Sequence, residues 1–126
     1  MLIEQQDSLY KTLQGLTAPG DDPADLSAGA GPLYPAVVSF GTSKGQHEKQ
    51  IVYRLDGILP DEQVGQGNYG TIWTVAFTST DEENWLEDLE ALLLGVPAFT
   101  DVVLSEFEDS NTTVYRAEVR LVSEGF

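Results

Sequence analysis

His47 is the only histidine in the chain, and cysteine is absent. A thiol nucleophile, a disulfide, an Fe–S cluster and a Cys-ligated zinc are therefore excluded. No His-rich or Cys-rich transition-metal site can be built from one copy. A Ser-His-Asp triad would have to use His47, which stands in a polar stretch beside Lys44, Glu48 and Lys49. No serine lies in a nucleophile-elbow context, so His47 reads as a solvated turn residue. Gly65, Gly67 and Gly70 spell G-x-G-x-x-G. The dinucleotide fingerprint needs those glycines between a strand and a helix, whereas here they follow an irregular loop and lead into a strand. They read as a flexible hairpin loop with a glycine hinge. A Walker-type Gly-Lys-Ser/Thr sequence and EF-hand spacing are both missing from the chain. Carboxylates are plentiful, but none sits in a context that implies the desolvation general-acid work requires. The expectation is a protein that is not an enzyme and uses no cofactor or metal.

Two groups of charged residues remain. Six of the ten residues from Asp81 to Glu90 are acidic. On a helix with Trp85, Leu86 and Leu89 facing inward, Glu82, Glu83, Glu87, Asp88 and Glu90 would form an exposed negative ridge. That ridge reads either as a solvated helix face or as an electrostatic surface at an interface or channel wall. Arg54, Arg116 and Arg120 are half of the six basic residues and all fall in predicted strands. They would serve either in cross-strand ion pairs within one sheet or in pairing between subunits with the acidic ridge.

The charge of the whole chain sets the partners. Twenty-one acids face six basic residues, a formal net charge of −15. Contact with phosphate needs cations, so conventional binding to nucleic acid or to an anionic membrane is not expected. The acidity fits solubility, adaptation to high salt, or a functional negative surface. Apolar runs such as Leu92–Leu94 are far too short to cross a membrane. The N-terminal residues carry acids where a signal peptide would be basic, so export is not expected.

The elements that would hold these groups follow from periodicity. The 126 residues, 41% of them hydrophobic, fit a single domain over 1–126. Leu2, Leu9, Leu13 and Leu16 share one face of a helix over 1–16, which Gly15 and Pro19–Gly20 should end. Thr17 to Pro35, with four Pro, three Gly and three Asp, reads as a long surface connection. Ala36–Gly41 reads as a short strand and is expected to form a hairpin with a second, in which Ile51, Tyr53 and Leu55 alternate with Val52, Arg54 and Asp56. A second loop runs from Leu59 to Asn68. The third strand carries Tyr69, Thr71, Trp73, Val75 and Phe77 on one face, with Thr74 and Thr78 on the other. Thr80 and Glu83 have capping-box spacing ahead of a helix with an apolar stripe of Trp85, Leu86, Leu89, Leu92 and Leu93. Thr100–Phe107 and Thr112–Val122 form a closing hairpin about Asp109–Asn111. The expected fold is α+β, a mostly antiparallel sheet of about five strands with two helices, in the order α-β-β-β-α-β-β.

In element order and length the chain resembles the tail terminator, or tail-completion, family of long-tailed bacteriophages. The resemblance runs from the helix ending at Leu16, through the Pro32 and Pro35 connection, to the strands at Val38 and Tyr53. It continues through the Gly65–Gly67 loop, the aromatic strand Trp73–Phe77, the helix Trp85–Leu94 and the closing hairpin ending at Val122. It implies a structural virion protein, a hexameric ring that caps the tail tube, ends its polymerisation and joins the tail to the head connector. The implied partners are further copies of the chain, the tail tube protein and a head–tail connector or neck protein. DNA would only pass through an acidic channel. The implied location is the virion tail and neck, assembled in the host cytoplasm. Loops Thr17–Pro35 and Leu59–Asn68 would contact neighbouring copies or tube subunits. The rival expectation is a monomeric acidic binding module that mimics DNA and blocks a basic protein.

Overall fold

The computed structural model describes residues 2–25, 28–42, 45, 47–60, 69–96 and 99–123. It has two helices, α1 (Leu2–Thr17) and α2 (Trp85–Gly95). The strands are β1 (Val37–Phe40), β2 (Lys49–Pro60), β3 (Tyr69–Ser79), β4 (Phe99–Asp109) and β5 (Thr112–Ser123). They form one five-stranded sheet in the order β1-β2-β3-β5-β4, antiparallel except for the β1–β2 pair. The α+β class and the element order agree with the sequence reading. No helix among the described residues is long and apolar enough to cross a membrane.

Alternation decides which side of the sheet is covered, because successive strand residues point to opposite faces. Ile51 and Tyr53 of β2, Trp73, Val75 and Phe77 of β3, and Ala117, Val119 and Leu121 of β5 are all buried. Register places them side by side on one face. Both helices pack there, α1 through Leu9 and Leu13 and α2 through Trp85, Leu89 and Leu92. Inside this core, Gln5 of α1 accepts hydrogen bonds from the Thr71 hydroxyl at 2.8 Å and the Trp73 indole N–H at 3.3 Å. A buried amide of this kind fixes the helix over β3, since slippage would leave it unsatisfied.

Among the described residues the opposite face bears no helix. Thr74 and Ala76 are nevertheless buried there, under longer side chains of the flanking strands. Arg54 and Arg120 stand on either side of Thr74, and Val52 and Glu118 on either side of Ala76.

Two expectations are corrected. First, β1 and β2 do not form a hairpin but run parallel, with Val38 opposite Ile51 and Phe40 opposite Tyr53. Four residues span only about 13 Å, so the chain can return to the start of β2 without a crossover helix. Gly41, at φ +86°, makes the reversal a side chain would strain, and its N–H donates to the Tyr53 carbonyl at 3.0 Å. Second, the capping box of Thr80 and Glu83 does not form, and α2 begins at Trp85 with Asn84 at its N-cap. The Asp81 carboxylate accepts from the Asn84 backbone N–H at 3.3 Å and from its side-chain amide at 2.8 Å. That holds 81–84 as a turn in place of the capping box.

The connection after α1 is partly tied down. Gly31 and Leu33 donate backbone N–H groups to the Ala18 and Leu16 carbonyls, at 3.0 and 2.8 Å, closing groups the helix end would otherwise leave open. Leu33 is fully buried. A Cβ on Gly31 would lie 2.3 Å from the Leu16 carbonyl oxygen, a backbone atom with no room to yield. Gly31→Ala is therefore expected to destabilise the fold by about 2 kcal/mol, read as a lower urea midpoint. A change below about 0.5 kcal/mol would show that this segment does not stay docked. Of the second predicted loop, β2 takes Leu59 and Pro60, and residues 61–68 lie outside the described residues, Gly65 and Gly67 with them. Gly70 is the second residue of β3.

Candidate functional site

The acidic ridge is present in reduced form. Glu82, Glu83, Glu87 and Glu90 are exposed. Asp88 is not part of it, being 6% exposed. The inward stripe of α2 runs Trp85, Asp88, Leu89, Leu92, the i, i+3, i+4, i+7 positions of one helical face. Leu86 falls about 100° away from Trp85 on that face and is 74% exposed, correcting its expected inward position. Leu94, further along, is also exposed. The outer side of α2 is thus a mixed surface of carboxylates and two leucines.

Asp88 turns inward because a cation waits there. Lys49, at the start of β2, places Nζ 2.8 Å from Asp88 Oδ2 and 3.6 Å from Asp81 Oδ2. Burial disfavours the ammonium, but Asp88, with Asp81 and Glu48 behind it, outweighs that and holds Lys49 above its ordinary value. The hydrogen bond from Asn84, against slight desolvation and with Lys49 adding to it, keeps the Asp81 carboxyl below its ordinary value. The cluster clamps the turn before α2 to the edge of β2. It is a structural ion-pair cluster.

All three arginines lie on the face without helices. Arg54 donates to Asp56 at 2.8 Å, and Arg116 to Glu118 at 2.8 Å, each to a carboxylate two residues along its own strand. Asp56 also accepts from the Thr74 hydroxyl. Its desolvation works against ionisation, but Thr74 and Arg54 more than offset that and lower its pKa. Arg120 is exposed and stands opposite Asp101 of β4 in the strand register. The structure therefore brings the arginines together on one face, within reach of strand carboxylates, and on the side away from the helices that carry the glutamates.

One end of this face forms a cleft of about 540 Å³ lined by Gln50, Thr78, Phe107, Val114 and Arg116, with His47 at its rim. His47 is exposed just before β2. Among the described residues no group of three or more His, Asp or Glu side chains is arranged to hold a metal ion.

The least expected surface is β4. It is an edge strand of eleven residues, exposed along nearly its whole length. Val103 and Leu104, on opposite faces, are 55% and 57% exposed, and Phe107 is 47% exposed. Natural edge strands are usually blunted by lysine, proline or a covering element. Phe99–Asp109 contains neither residue, and its only irregularity is a bulge between Phe99 and Asp101. The strand was legible in the sequence, but its place at the edge was not. Its four acids, Asp101, Glu106, Glu108 and Asp109, were the available signal. Comparison with protein-family models and with curated proteins finds no match for this chain.

Proposed function

We propose that the chain is a structural protein of a phage tail, a tail terminator that assembles head to tail into a hexameric ring. In this reading the ring caps the tail tube, ends its growth and meets the head connector. The observation that carries it is the long open edge of β4, where Val103, Leu104 and Phe107 are exposed among acids and which an assembled chain would cover. The sheet's two open edges differ, and contact between unlike patches generates rings when the rotation closes. The acidity supports the same reading. A channel wall bearing glutamates such as Glu87 and Glu90 would let DNA slide past without counterion-releasing contacts. Arg120, exposed beside β4, is the arginine best placed to reach another copy.

Light scattering across concentration and salt tests this reading. Screening in about 1 M salt shortens the reach of the charge to about 3 Å and should permit association despite −15 per copy. A hexamer mass with rings in negative stain is expected. A chain that stays monomeric at high salt overturns the ring, and a salt-sensitive complex with a basic protein would then favour the DNA-mimic module. Reversal of Glu83, Glu87 and Glu90 to Lys should leave folding within about 0.5 kcal/mol of wild type, because these side chains are exposed. The same variant should slow genome passage or lower tail infectivity. Full infectivity would reduce the ridge to solubilising surface.

A further inference from the structure

We infer that the β4 edge of one copy adds as an antiparallel strand to the β1 edge of a second copy, continuing the sheet from subunit to subunit. The inference deepens the ring reading and rests on it for the number of copies.

Three observations select this occupant. The first is charge. β4 carries Asp101, Glu106, Glu108 and Asp109. Two β4 strands paired about a twofold axis would bring the four acids of both copies into one ladder, with Asp101 directly against Asp109 when the axis passes through Ser105, and like charges placed opposite one another are destabilising. β1 is uncharged from Val37 to Phe40, and it exposes Val37 and Phe40. The second is direction. β1 runs parallel to β2, and three successive antiparallel pairings from β2 to β4 leave β4 running opposite to β1. Copies related by rotation about a ring axis would therefore meet in an antiparallel ladder, without inverting any subunit.

The third is register. Val38 and Phe40 lie on the helix-covered face with Ile51 and Tyr53, as Leu104 does with Ala117. Val37 and Ser39 lie on the other face, like Ser105 and Phe107. Faces must match across a continued sheet, because a one-residue slip turns every side chain over. The face-matched register that brings the two serines together puts Phe40 opposite Leu104, Ser39 opposite Ser105, Val38 opposite Glu106 and Val37 opposite Phe107. Leu104 would then sit beside a cleft of about 550 Å³ between α1 and β1, lined by Tyr10, Lys11, Gln14 and Val38. Glu106 of the incoming strand would stand opposite Val38 in that lining, where the cation is Lys11, paired with Asp7 at 2.9 Å.

The chain has no cysteine, so a disulfide pair can be introduced without background. The double variant Ser39→Cys, Ser105→Cys is expected to give, on mild oxidation at high salt, a covalent ladder ending at the ring. The two single variants mixed together should give the mixed dimer, and Ser105→Cys alone should give none. A ring by light scattering without the ladder overturns this inference and leaves the ring reading standing. Dimers of Ser105→Cys alone overturn it in favour of twofold pairing. Monomers with native circular dichroism under the same salt overturn both. Leu104→Lys, exposed in the single chain and so harmless to its folding, should abolish the ladder; an unchanged ladder places the contact elsewhere.

Discussion

Replacing Asp88 with alanine is expected to cost about 3 kcal/mol of folding stability, the lower part of the range for breaking one side of a buried ion pair. The loss would come mainly from Lys49, whose side chain is 12% exposed and would keep Asp81, at 3.6 Å, with Glu48 beyond it. Asp81 is the reason the cost stays near the lower limit. Glu87→Ala, one residue away on the outer side of α2, should change stability by less than about 0.5 kcal/mol. Urea midpoints of the two variants would separate an inward carboxylate from an outward one on the same turn of helix. The double variant Lys49→Met, Asp88→Leu should recover most of the loss, since well-packed apolar replacements of buried pairs are often neutral. The pH dependence has a defined sign. Lys49 is held above its ordinary 10.5 in the folded state, so the pair's contribution is complete below that value and disappears as pH rises through the raised one. The difference between wild type and Asp88→Ala should therefore narrow in strong alkali. A difference that persists unchanged there would show that Asp88 acts by packing rather than by charge.

Trp73→Ala should be costlier still, about 4 kcal/mol, the usual loss for a large aromatic side chain removed from a core. Trp73 is 2% exposed in the middle of β3, between Leu55 of β2 and Leu121 of β5. Its truncation would open a cavity under α1 and remove one of the two donors to Gln5. Trp73→Phe keeps much of the packing and loses the indole N–H. A cost of about 1–2 kcal/mol is expected, because the Thr71 hydroxyl still reaches the amide oxygen at 2.8 Å. Trp85 remains in both variants as the fluorescent probe of unfolding. An equal cost for the two would mean that the hydrogen bond, rather than the volume, holds α1 in place. With total stabilities of about 5–15 kcal/mol for domains of ordinary size, the alanine variant is expected near the limit of folding.

The central strand and the closing hairpin were plainly legible. Trp73, Val75 and Phe77, then Ala117, Val119 and Leu121, recur every second residue, and all are buried. The helical spacing of Leu9 and Leu13 likewise named the inner face of α1. Gln5 joins that face as a buried polar residue because β3 offers it two donors, a fact no helical pattern contains. In α2 the pattern misled at two positions. Leu86 is apolar and points outward, and Asp88 is charged and points inward, because the inner position opposite β2 is filled by Lys49.

Periodicity along the chain thus determined by itself the class of the fold, the order of its elements and nearly every strand residue that faces the core. Composition determined the charge and excluded every chemistry that needs cysteine or a second histidine. The tertiary structure alone decided that β1 lies parallel to β2, that β4 stands at the edge, that Asp88 leaves the ridge and that the arginines gather on the uncovered face. The physical reason is one of range. Side-chain alternation is set by dihedral angles within each strand, whereas strand neighbours and ion-pair partners are chosen by residues far away in sequence.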